Sequence, residues 1–152
     1  MKEKFMNEAL KEAKKAYNKL EVPIGAVIVK DGKIIAKAHN QKEDKQDTTM
    51  HAEIIAIKKA SRKINNWRLN DCELYVTLEP CPMCAGAIVN SRFKKIYIGT
   101  MDEKNGACGS VSNILEEYKQ NFKVELETLN HESCKKILKD FFKELREVKN
   151  NK

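Results

Sequence analysis

Leu74-Tyr75-Val76-Thr77-Leu78-Glu79-Pro80-Cys81-Pro82-Met83-Cys84-Ala85-Gly86-Ala87-Ile88-Val89 is the stretch on which the fold turns. Leu74 to Thr77 is a short run of strand formers that ends in a proline-flanked turn. From Pro82 to Val89 small and apolar residues follow, and a proline suits the first position of a helix because its missing N–H costs nothing there. Cys81 and Cys84 are three apart, which puts both sulfurs on one side of that opening turn. The positive end of the helix dipole favours thiolate over thiol at such a place.

The same alternation of strand and helix extends in both directions. Phe5, Met6, Ala9, Leu10, Ala13, Ala16 and Tyr17 recur at three- and four-residue steps, predicting an amphipathic helix that ends near Leu20. Past Pro23 and Gly25, the apolar run 26–29, the pair Asp31-Gly32 and a second run 34–38 predict a hairpin with a type I′ turn. Residues 41–47 are polar and unpatterned and read as a loop, with Thr48 or Thr49 capping a helix that begins around His51. A strand at 95–99, a flexible loop at 101–110 and a final strand at 122–127, with Phe122, Val124 and Leu126 on one face, come next. Cys134, Ile137, Leu138, Phe141, Phe142, Leu145 and Val148 mark the apolar stripe of a last helix, with a frayed basic tail at about 148–152. These elements make a single domain over 1–152, a three-layer α/β/α arrangement around a five-stranded mixed sheet.

His51 and Glu53 join the two cysteines in a second reading, one of chemistry. Three ligands, His51, Cys81 and Cys84, leave the fourth tetrahedral position of Zn²⁺ open to water, as a catalytic site requires and a structural one does not. Glu53 is then free to carry protons, since zinc makes hydroxide available near neutral pH and a neighbouring carboxylate can take up and return the proton. Residues two apart diverge inside a helix, so His51 and Glu53 belong at the very start of one, with the metal near its tip. Singly the motifs are weak: Cys-x-x-Cys also serves as a redox pair or half a zinc knuckle, and a histidine before an apolar run is often a cap. Together they match the zinc deaminase signature H-x-E…P-C-x-x-C.

Composition narrows the remaining classes. The chain of 152 residues is long enough for one core without disulfide support, and its five cysteines are an odd, scattered set expected to stay reduced. Cys72, Cys108 and Cys134 read as core residues. The charged amphipathic start and the lack of a membrane-length apolar run point to a cytoplasmic protein with no membrane partner. The net charge of +7 is concentrated at the ends, with six Lys against three Glu in 1–20 and seven Lys or Arg against four acids in 131–152. Such a distribution suits a polyanionic partner such as nucleic acid, or else a merely solvated surface.

Glu21-Val22-Pro23-Ile24-Gly25-Ala26-Val27, Asn40, His51-Ala52-Glu53, Leu78 to Ala87, Asp102-Glu103-Lys104-Asn105-Gly106-Ala107 and Asp140-Phe141-Phe142 give the chain a nearly full-length resemblance to the bacterial tRNA-specific adenosine deaminase (TadA) family, within the cytidine deaminase-like zinc deaminases. The zinc motifs are shared across that superfamily; the opening, the Asp-x-Lys-x-Gly-Ala loop and the Asp-Phe-Phe ending are the narrower match. The resemblance implies hydrolytic conversion of the wobble adenosine of an arginine tRNA anticodon loop to inosine, by a homodimer with one Zn²⁺ per subunit. It implies that Asn40 hydrogen-bonds the flipped base, that Ile24 lines its pocket and that Asp102 lies near the target ribose or its neighbour. Phe142, Lys143 and Arg146 would then approach flanking nucleotides. The chain departs from the pattern with Asp47-Thr48-Thr49-Met50 where Asp-Pro-Thr-Ala is common, and with His39, read here as a packing or hydrogen-bonding residue, at an often aromatic position. Two rival functions share the fold: deamination of a free base or nucleoside, and a non-enzymatic RNA-binding subunit.

Overall fold

A computed structural model describes residues 1–118 and 122–150. The elements run α1 (Lys2–Asn18), β1 (Gly25–Lys30), β2 (Lys33–His39), α2 (Lys42–Lys45), α3 (Ala52–Ile64), β3 (Cys72–Leu78), α4 (Pro82–Ser91), β4 (Lys95–Thr100), α5 (Ile114–Glu117), β5 (Glu125–Thr128) and α6 (Glu132–Asn150). One mixed sheet takes the order β2-β1-β3-β4-β5; β2, β1 and β3 are antiparallel neighbours, and β3, β4 and β5 parallel ones.

Period-2 alternation divides the core into two halves. Ile28, Leu74, Val76, Ile96 and Ile98 meet Ala52, Ala56 and Ala60 of α3 and Ala85, Ile88 and Val89 of α4. Val27, Val29, Tyr75 and Tyr97 face the other way, onto Phe5, Met6, Ala9, Leu10 and Ala13 of α1 and Cys134 of α6. The central strands are therefore covered on both sides, which is why they read as continuous apolar runs. Each fully buried Leu or Ile here contributes about 1.5–3 kcal/mol. The three-layer, five-stranded arrangement expected from the sequence is the one observed, and the two basic ends of the chain share the α1/α6 layer.

α1 crosses the start of β1 at close quarters. A Cβ on Gly25 would run into the Ala9 carbonyl and the Ala13 amide, both rigid helix backbone. Gly25→Ala is expected to cost about 1–3 kcal/mol and to lower the thermal midpoint by roughly 3–10 °C, read by circular dichroism melting. The hairpin turn holds Asp31 at φ 52° and Gly32 at φ 74°, the two left-handed positions of a type I′ turn. Ile28 pairs with Ala36 and Val29 with Ile34, so Ile35 is the extra residue of a bulge.

Several local expectations are corrected. The segment 41–47 contains a one-turn helix, α2, closed by Gln46 at φ 49°. His51 itself is the N-cap of α3, with no side-chain capping bond, because Thr49 turns to Asp47: its N–H and hydroxyl both donate to Asp47 Oδ1, at 2.8 and 2.7 Å. Short α5 follows the 101–110 loop where no element was expected. The last strand starts at Glu125 and reaches Thr128; Val124 is buried but Leu126 is 38% exposed, as suits an edge strand paired on one side only. α6 is helical through Asn150, and residues 151–152 lie outside the described residues.

Strand directions bring four segments to one rim of the sheet. Ala26 pairs with Val76, Gly25 with His39 and Leu78 with Thr100. The entry to β1, the exit of β2, and the exits of β3 and β4 therefore meet, carrying Ile24, Asn40, Cys81 and Asp102 to the same edge.

Candidate active site

Two helix N-termini converge at this rim. His51 is the N-cap of α3 and Cys81 the N-cap of α4, and their carbonyls accept the first helical N–H bonds, from Ile55 at 3.1 Å and Ala85 at 2.8 Å. Glu53 and Cys84 sit within the first turns of these helices. The His51 Nδ1 lies 3.6 Å from Cys81 Sγ and 3.5 Å from Cys84 Sγ. One donor atom from each of the three residues falls within 4.8 Å of the others.

The donor set fits Zn²⁺: one imidazole nitrogen and two sulfurs, drawn together and electron-rich. Of the pair, Cys81 is the more acidic. The hydrogen bond from Cys84 is the main reason that its thiol falls to about 4, against the opposing effect of burial. Cys84, holding that proton and itself buried, is pushed up. His51 is raised, first by its hydrogen bond with Cys81. Glu53 is buried, and its Oε1 has no hydrogen-bond partner among the described residues. Burial is the main cause that lifts its carboxyl to about 7.

The other sequence-predicted residues occupy more varied positions. Asn40 is buried, with Nδ2 donating to the Val22 carbonyl at 3.3 Å and Oδ1 accepting from Lys42 N–H at 3.1 Å, which leaves one amide hydrogen uncommitted. Ile24 is half-buried beside it, its carbonyl accepting from Asn40 N–H at 3.0 Å. Asp102 bends its own loop, Oδ1 accepting from Lys104 and Asn105 N–H at 3.1 and 3.2 Å. Phe142 is 41% exposed and Lys143 and Arg146 are exposed, all on α6 and hence in the layer opposite α3 and α4. Phe141 packs edge-on against Tyr17 with centroids 5.6 Å apart, which runs α6 alongside the end of α1 that leads into Glu21–Ile24. His39 bonds Glu12 at 3.3 Å, and His131 Nδ1 accepts from Cys134 N–H at 3.4 Å at the start of α6.

Sequence reasoning gave no role of their own to Glu21 and Glu79, both buried. Glu21 takes Glu43 and Asp44 N–H at 2.9 and 2.6 Å, so with Asn40 it satisfies the first three amides of α2. Glu79 accepts from the backbone N–H of Asp102, Cys108 and Ser110 and from the Ser110 hydroxyl. Burial alone would raise its carboxyl, but these donors hold it below its ordinary value. The available signal was an acid directly after the buried run of β3, where an unpaired charge is not tolerated.

The family model of MafB19-like deaminases matches residues 1–146, and the chain therefore belongs to the deaminases. Within that class the chain belongs to the tRNA-specific adenosine deaminases: it is 51% identical over 145 residues to the tRNA-specific adenosine deaminase of Aquifex aeolicus, covering 95% of this chain and 96% of that one. A solved structure from work on A-to-I editing by tRNA:A34 deaminases at the wobble position superposes with a TM-score of 0.85 at 40% identity, covering 89% of this chain and 99% of the other. The guanine deaminase of Bacillus subtilis is more distant, with a TM-score of 0.65 and 31% identity over 93% of each chain.

Proposed function

We propose that this chain hydrolyses the wobble adenosine of a tRNA anticodon loop, that of an arginine tRNA, to inosine and ammonia. It acts as a cytoplasmic homodimer with one Zn²⁺ per subunit. The observation that carries the chemistry is the convergence of His51, Cys81 and Cys84 beside the buried, partner-free oxygen of Glu53. Family membership supplies the substrate. Among the described residues no helix is long and apolar enough to cross a membrane.

His51, Cys81 and Cys84 would hold the metal, which when bound supplies Lewis acidity and hydroxide at neutral pH. Glu53 takes the proton of the attacking water, gives one to adenine N1 as oxygen adds to C6, and helps return one to the departing amine. Its burial excludes bulk water, and its position on the first turn of α3 fixes it relative to His51. Asn40 offers its uncommitted amide hydrogen to the flipped base, and Ile24 forms an apolar wall of the pocket. An anticodon loop suits such a site because an unpaired base can be splayed out at low cost. The α1/α6 layer brings the two basic ends together, where Lys143 and Arg146 neutralise phosphates and Phe142 lies against a flanking nucleotide.

The direct test is zinc-loaded protein incubated with an arginine tRNA anticodon stem loop carrying wobble adenosine, beside free adenosine, guanine and cytidine. Inosine from the stem loop alone is the expected result; ammonia only from a free compound would reassign the substrate. Replacing Lys143 and Arg146 together by Ala, which spares the buried Phe141, is expected to weaken stem-loop binding and to reduce the slope of log affinity against log salt by about 1.5. Fluorescence anisotropy across a salt series reads both, and an unchanged slope would make the α6 charges a solvated surface.

A further inference from the structure

Glu79 has no part in the proton transfers above, although the residue is 3% exposed and only two positions from Cys81. We propose that Glu79 is a positioning residue: it ties the 102–110 loop to the Pro80–Cys81 turn and so sets where that loop meets the substrate. The identity of the substrate rests on the tRNA deaminase reading; the tie itself does not.

Both carboxylate oxygens are fully engaged. Oε1 accepts from Asp102 N–H at 2.9 Å and from the Ser110 hydroxyl; Oε2 accepts from Cys108 N–H at 2.9 Å and Ser110 N–H at 3.0 Å. Amides from both ends of the loop thus converge on one side chain. Ala107 N–H pins the middle by donating to the Pro80 carbonyl at 2.9 Å. A Cβ on Gly106 would overlap the Glu79 carboxylate, so the loop closes around that group with no spare volume. Glu103, Lys104 and Asn105 are left exposed at the tip, next to Asp102.

Backbone N–H groups buried outside regular structure need acceptors, and here one anion serves three of them. A neutral amide of the same shape fails at this task. With its NH₂ at the Oε2 position, Glu79→Gln faces the Cys108 and Ser110 donors with another donor; turned over, it does the same to Asp102. The loop is then loosened, while the metal ligands remain fixed by α3 and α4. Loss of Glu79 is therefore expected in substrate engagement and not in metal retention.

The test compares zinc-loaded parent, Glu79→Gln and Ser110→Ala by metal content, hydrogen exchange over 102–112 and steady-state kinetics on the wobble-adenosine stem loop. For Glu79→Gln the expectation is unchanged zinc, amide exchange at Asp102, Cys108 and Ser110 faster by about tenfold or more, and KM raised about tenfold with kcat within about threefold. Ser110→Ala removes only a hydroxyl and should give about a threefold rise in KM. Unchanged exchange and KM in Glu79→Gln would overturn the proposal, as would loss of zinc or a fall confined to kcat. Should Glu79→Gln fail to fold, Ser110→Ala decides alone, and unchanged exchange and KM there would overturn the proposal. If the parent deaminates only a free base, the tRNA reading falls, and Glu79 is judged by the exchange rates and by KM for that base.

Discussion

Glu53→Ala is expected to bind zinc and RNA as the parent does and to lose at least about a thousandfold in kcat. The argument starts from burial. A carboxyl raised to about 7 by desolvation, with one oxygen lacking a partner, is an unfavourable group to keep inside a protein unless it works there. Alanine removes that cost and opens no clash, so the thermal midpoint should hold or rise while turnover disappears. Glu53 is not among the three converging donors, so metal content measured by atomic emission should stay near one per chain. A variant that turns over the stem loop at the parental rate would remove Glu53 from the chemistry.

His51→Ala and Cys84→Ser are expected to lose the metal and the activity together. Cys84→Ser replaces a sulfur able to become a thiolate with a hydroxyl that stays protonated, and His51→Ala removes the nitrogen that faces both sulfurs. Two ligands hold zinc poorly, and after dialysis against a mild chelator bound zinc should fall to about a tenth of the parental content or less. α3 and α4 should survive, because Ala52, Ala56, Ala60, Ala85, Ile88 and Val89 anchor them to the sheet independently of the donors. Far-ultraviolet circular dichroism close to the parent, with zinc lost, is the expected pair of readings. Full zinc content in either variant would refute the ligand assignment.

What the sequence disclosed, and what it hid, follows the range of the forces involved. The I′ turn was legible because Asp31-Gly32 specifies it locally. The placement of His51 and Cys81 at helix tips was legible because two- and three-residue spacings have different meanings on a helix. The one-turn α2 was not: Lys42 to Lys45 are exposed and carry no apolar period, and the N–H groups of Lys42, Glu43 and Asp44 are satisfied by Asn40 and by Glu21 from about twenty residues away. The 101–110 segment read as flexible for the same reason. Its glycines suggested freedom, while the structure holds it through Glu79, a contact between residues about thirty apart that no window of sequence displays. β5 was misplaced by three residues at its start because Phe122 and Val124 pack into the core before strand pairing begins.

The hairpin turn at Asp31-Gly32 has a practical use that follows from its place in the sheet. Lys30 pairs with Cys72 at the start of β3, whereas Cys81 lies beyond the end of that strand, so the turn stands at least about 20 Å along the sheet from Cys81. Nothing lies within 4 Å of the point where a Gly32 Cβ would project. A short peptide handle spliced between Asp31 and Gly32 would tether the molecule to a bead or sensor chip by its far end. The rim that carries His51, Cys81 and Cys84 would then face the solution, and both chain termini would be left without tags.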